Sequence, residues 1–187
     1  MMNSTMKLNM RQVELINTFR QLWAEHVMWT RMFIISTAAE LADVKLVEKR
    51  LLRNPADFAM LLERFYGKEK ADKFEKLLTE HLQIAGQLVN AAKEGDQKTV
   101  EDAKKKWYDN ADEIAAFLAS INPYWSQREW QRLMHEHLDM TLAEATARLS
   151  GNYAEDIMMY DKIFAEAMKM ADTMAYGIMK QFARQLT

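Results

Sequence analysis

The chain contains no cysteine. A disulfide scaffold, a thiolate zinc site, an iron–sulfur cluster and a cysteine nucleophile are therefore excluded. Proline occurs twice and glycine five times in 187 residues. Sheets need many tight turns and turns need these residues, so their scarcity points to long helices with few connections. An excess of one charge is also missing: 25 basic and 27 acidic side chains are interspersed, for a net charge of -2. Such a surface offers no footprint for nucleic acid or an anionic membrane. The most apolar run, Met32 to Ala39, is too short to span a bilayer and follows Arg31 directly. The first residues, MMNSTMKLNMRQ, lack the apolar stretch of a signal peptide. There is no glycine-rich phosphate loop, no Gly-x-Ser-x-Gly and no His-Glu-x-x-His. The expectation is a cytoplasmic protein with no nucleic-acid and no membrane partner. An oligomer is compatible with it.

What is present is globular in composition, 49% apolar and 28% charged. The length suits one domain over residues 1–187. Punctuation divides it into six helices. The first spans about Leu8 to Glu40, with an inner stripe of Ile16, Phe19, Trp23, Thr30 and Phe33 that includes His26. Asp43 is placed to cap the second, which ends at Tyr66-Gly67. Within it, Asn54-Pro55-Ala56-Asp57 reads as a helix start, so a kink or break is expected near Asn54. Gly95-Asp96 ends the third helix, Asn122-Pro123 the fourth and Gly151-Asn152 the fifth. Ser126-Gln-Arg-Glu129 has the form of a capping box.

Three segments align on a histidine without a gap: Phe19 to His26, Phe74 to His81, and Trp130 to His137. Each has an aromatic residue seven before the histidine, leucine four before and glutamate directly before. Asn54-Pro-Ala-Asp-Phe-Ala likewise resembles Asn110-Ala-Asp-Glu-Ile-Ala. The architecture expected is all-α, an up-and-down bundle of about six antiparallel helices made of three tandem helix-pair repeats.

In an antiparallel hairpin, residues equidistant from the turn lie side by side. Glu40 is midway between His26 and Asn54, and Gly67 lies at the midpoint of Asn54 and His81. The pairs His81/Asn110, Asn110/His137 and His137/Glu166 straddle the later turns in the same way. All six residues should occupy one level of the bundle and point inward. Buried imidazoles and amides must be hydrogen-bonded or ligated, since an unpaired one costs about 1–3 kcal/mol.

Neutral imidazole is the commonest protein ligand for transition metals, and bundle cores hold such sites between facing helices. The inner layer is expected to bind a metal ion or a small polar ligand; a metal site, for Fe or Zn, would draw on His26, His81, His137 and Glu166, with Glu25, Glu80 or Glu136. Asn54 and Asn110 would orient the rings. Tyr108, Trp107 and Tyr160 would line the pocket, and Arg31 would clamp a carboxylate or phosphate or pair with a neighbouring glutamate. Against ligation, the residue three before each histidine is Trp23, Leu78 or Met134, which is not the Glu-x-x-His spacing of diiron bundles. Adjacent Glu and His also sit about 100° apart on a helix. The competing reading is a structural layer whose amides and carboxylates satisfy the imidazoles and fix helix register.

The segments Glu25-His-Val-Met-Trp-Thr-Arg31, Leu77-Leu-Thr-Glu-His-Leu82, Trp107-Tyr-Asp-Asn-Ala-Asp-Glu-Ile-Ala115, Asn122-Pro-Tyr-Trp125 and Met170-Ala-Asp172 resemble a bacterial all-helical family over nearly the whole chain. Its members are sometimes labelled acetylglutamate kinase. Such kinases are α/β proteins with glycine-rich nucleotide loops, so the resemblance implies a helical bundle and not that activity. A distant likeness to ferritin-like bundles would imply a metal.

Overall fold

The computed structural model describes residues 8–186, so part of the N-terminal stretch read for a leader lies outside it. Seven α-helices follow one another: α1 (Met10–Ala38), α2 (Val44–Leu51), α3 (Asn54–Tyr66), α4 (Lys68–Glu94), α5 (Gln97–Ile121), α6 (Gln127–Leu149) and α7 (Tyr153–Gln181). A 3₁₀ turn at Ala183–Gln185 ends the chain, and the described residues include no strand. The second helix expected from the sequence is two, α2 and α3, forming one broken arm. Pro55 has no N–H to give the carbonyl of Leu51, so the ladder stops there.

Each arm packs on the next and α7 returns to α1, which closes the ring. Alternating direction makes α1, α4 and α6 parallel to one another. These three also touch each other pairwise, so they form the inside of the bundle, with the α2–α3 arm, α5 and α7 outside them. Phe19, Phe74 and Trp130 occupy the same place on the three inner helices and are all but fully buried. The main apolar core runs around them, and a smaller cluster of Phe33, Ile34, Val47, Leu51, Leu82, Val89 and Ala145 continues it toward α2.

The turns fall where the midpoints require. Glu40, Gly67, Gly95 and Gly151 all have positive φ, between 54° and 78°. Gly67, at φ 78° and ψ 167°, occupies backbone space open essentially to glycine alone. The caps come from Asn9 (to Gln12), Asp96 (to Thr99), Ser126 (to Glu129) and Asn152 (to Glu155). Asp43 stands at the start of α2 but makes no capping bond. At Asn122-Pro123 the Asn122 side chain accepts from the Tyr124 N–H and donates to the Tyr66 hydroxyl, pinning the α5–α6 turn to the end of α3. No helix among the described residues is long and apolar enough to cross a membrane.

Candidate functional site

His26 on α1, His81 on α4 and His137 on α6 converge at mid-bundle, none more than 3% exposed. The His26 ring lies 6.4 Å from that of His81 and 5.8 Å from that of His137, centroid to centroid. Each faces a polar residue of the following outer helix.

At the first two corners the same pair of hydrogen bonds occurs. His26 Nδ1 is 3.1 Å from Asn54 Oδ1, and Asn54 Nδ2 donates to the Leu22 carbonyl at 3.0 Å. His81 Nδ1 is 2.9 Å from Asn110 Oδ1, and Asn110 Nδ2 donates to the Leu77 carbonyl at 3.1 Å. Each carbonyl belongs to the residue four before the histidine. Only the amide nitrogen can donate to that carbonyl, so the amide oxygen faces the ring and Nδ1 carries the proton. At His81 a second bond agrees with this tautomer: the Trp107 indole N–H donates to Nε2 at 3.2 Å. Burial pushes both imidazoles down to about 3, and repulsion from the neighbouring rings acts the same way against the asparagine bonds. Both are neutral at physiological pH.

The third corner differs. Glu166 on α7 stands where an asparagine stands at the others, and is 5% exposed. Its Oε2 is 3.4 Å from His137 Nδ1. That contact lacks hydrogen-bond geometry, and His137 Nδ1 and both Glu166 oxygens are buried without a hydrogen-bond partner. A surface hollow between α6 and α7, lined by Glu136, Asp139, Met140, Lys162 and Lys169, reaches Glu166.

Farther along the inner helices α6 differs again from α1 and α4. Seven residues after each histidine come Phe33, Leu88 and Glu144. Glu144 accepts from Arg31 at 2.5 Å, Arg31 bonds Asp156 at 2.6 and 3.2 Å, and Arg148 Nε lies 3.1 Å from Asp156. Tyr160 stacks on the Arg31 guanidinium. Burial pushes the Glu144 carboxyl up to about 7 against the pull of Arg31. Arg31, read as a clamp for a ligand's carboxylate or phosphate, is held by the protein's own carboxylates.

Of the metal-ligand set, His26, His81, His137 and Glu166 are brought together, and Glu25, Glu80 and Glu136 are not. Glu25 bonds Arg50 and Gln21, Glu136 pairs with Arg132, and Glu80 is exposed. Adjacent residues on a helix diverge by about 100°, so an inward histidine turns its preceding glutamate outward. Tyr108 is also away from the layer: its hydroxyl donates to Asp139 and its ring packs edge-on against His135. Asn54 and Asn110 are where they were expected, as ring partners. Among the described residues no group of three or more His, Asp or Glu is arranged to hold a metal ion. Glu144, Asp156 and Arg148 were not singled out from the sequence. The signal for Glu144 was its place, an acid seven residues after a histidine where the other two histidines are followed by Phe33 and Leu88.

No protein-family model, no curated protein and no solved structure matches this chain.

Proposed function

We propose that the protein binds a small cationic ligand at the His137–Glu166 corner, a divalent transition metal ion (Fe or Zn) being the first to test. One observation carries the reading: a carboxylate and an imidazole nitrogen, both buried, lack the partners that Asn54 and Asn110 supply at the equivalent corners. A buried carboxylate with no donor costs several kcal/mol. A ligand bringing positive charge or N–H and O–H groups would remove that cost, and the hollow between α6 and α7 gives it a way in. His137 and Glu166 would be the primary contacts, with His26 beside them. Asn54 and Asn110 would hold His26 and His81 in one tautomer. His81, with both ring nitrogens already bonded, would take no part.

The test is metal binding by Fe(II) and Zn(II) to wild type, Glu166→Gln and Asn110→Ala. The expected result is near-stoichiometric binding that Glu166→Gln abolishes and Asn110→Ala retains. No binding by the wild type, or equal binding by Glu166→Gln, overturns the metal.

The two completed corners favour a second reading, a layer that fixes helix register in a non-catalytic structural or interaction protein. It predicts that every substitution in the layer changes stability and none changes binding.

A further inference from the structure

The hollow between α6 and α7 carries charge of both signs. On its α6 side the acids are committed, Glu136 to Arg132 and Asp139 to the Tyr108 hydroxyl. On its α7 side Lys162 and Lys169 are exposed, and neither ammonium has a hydrogen-bond or ion-pair partner among the described residues. These lysines stand four residues before Glu166 and three after it, on one face of α7 and within about 6 Å of it along the axis.

The same offsets are filled differently around the two asparagines. Four before Asn54 is Arg50, which pairs with Glu25 at 2.6 Å and stacks on Trp29. Three after Asn54 is Asp57, which pairs with Arg53 at 3.0 Å, and three after Asn110 is Glu113. The α6–α7 corner therefore has an acid inside where the others have an amide, and a base at the rim where the others have an acid. The two exchanges are opposite in sign and less than one turn apart.

Taking this corner as a cation site, we propose that its ligand is a small dipolar organic molecule, a primary ammonium joined by a short chain to a carboxylate or phosphate. An ammonium brings three N–H donors. Three buried atoms here lack partners, the two Glu166 oxygens and His137 Nδ1, which accepts when the ring proton is on Nε2. The anionic end stays at the rim, with Lys162 and Lys169. The hollow, at about 420 Å3, lies within the range of small-molecule sites, about 300–1,000 Å3. The Glu166 oxygens are covered in the structure, so binding requires a rotamer change in the wall, which the flexible Met140 side chain can supply.

γ-Aminobutyrate and phosphoethanolamine are the probes, with butylammonium and butyrate as singly charged controls. Binding is read by NMR of the Met140 and Ala165 methyls in metal-free protein. The expected result is a saturable shift with at least one dipolar probe, at an affinity about five-fold or more above either control. The two probes distinguish a carboxylate from a phosphate at the rim. Glu166→Gln should abolish the response. Lys169→Glu changes an exposed side chain and is expected to fold; it should weaken the dipolar probe about five-fold without weakening butylammonium. No saturable shift from either dipolar probe, a control bound as tightly, or an undiminished response in Lys169→Glu overturns the proposal. Metal or butylammonium bound with no advantage for the dipolar probes would overturn it and leave the cation reading standing. No binding of metal, butylammonium or dipolar probe overturns both.

Discussion

Asn54 and Asn110 each share one hydrogen bond with a buried histidine and donate a second to a leucine carbonyl, while Glu166 makes no hydrogen bond with His137. The three corners lie on different helix pairs, α1–α3, α4–α5 and α6–α7, and the contrast is between the side chains that face the rings. An amide has a donor and an acceptor and can satisfy an imidazole and a carbonyl at once. Neither oxygen of the Glu166 carboxyl has a hydrogen-bond partner. The first two corners are finished by the fold. The third has unspent capacity, and it belongs to the same helix pair that carries Glu144 and Asp156. Buried acidic residues thus collect on α6 and α7.

The largest effect expected from this contrast is on acid stability. His26 and His81 stay neutral down to about 3 in the folded chain, below the ordinary histidine value of 6.5. As pH falls below 6.5 the unfolded chain takes up protons that the fold refuses, so stability falls. Each ring contributes about 1.4 kcal/mol per pH unit, or roughly 4 kcal/mol for the pair at pH 5. Glu144 works in the opposite direction, one group against two: it holds its proton up to about 7, so its contribution, about 3 kcal/mol, is lost as pH rises from 4.5 toward 7. Urea unfolding between pH 8 and pH 5 checks the balance. A stability that rises toward pH 5 by the full contribution of Glu144 would mean that the rings are not held neutral.

Next in size are Asn54→Ala and Asn110→Ala. Each strands an imidazole N–H in the core and removes the second bond of a leucine carbonyl that keeps its helix partner, at a cost of about 1–3 kcal/mol in urea unfolding. A loss under 1 kcal/mol in either would show that its corner is not completed by the asparagine.

The smallest effect is expected at the third corner. Glu166→Gln removes a buried carboxylate without removing its bulk, and should leave metal-free stability unchanged or raise it by about 1 kcal/mol. A loss of 2 kcal/mol or more would make Glu166 the equal of the asparagines and erase the contrast.

Much of this was legible before any tertiary information. Scarce glycine and proline, helical periodicity and the turn residues gave an all-helical ring of antiparallel arms. The break near Asn54 was visible in Pro55. Asn54 reads both as a helix start and as an inner-layer residue, and its side chain turns inward to His26. Arg31 was less legible: a ligand clamp and a pairing with a glutamate were both open, and its partners Glu144 and Asp156 are 113 and 125 residues away.

The sequence by itself determined height. Residues equidistant from a turn share a level because every helical residue rises by the same 1.5 Å, so counting placed His26, Asn54, His81, Asn110, His137 and Glu166 together. The tertiary structure decided rotation and proximity. Those depend on how the side chains of α1, α4 and α6 pack around one another, which counting along one chain does not reach. Packing brought the rings of His81 and His137 to 6.4 and 5.8 Å from that of His26, turned Glu25, Glu80 and Glu136 away from them, and left Glu166 facing His137 without a hydrogen bond.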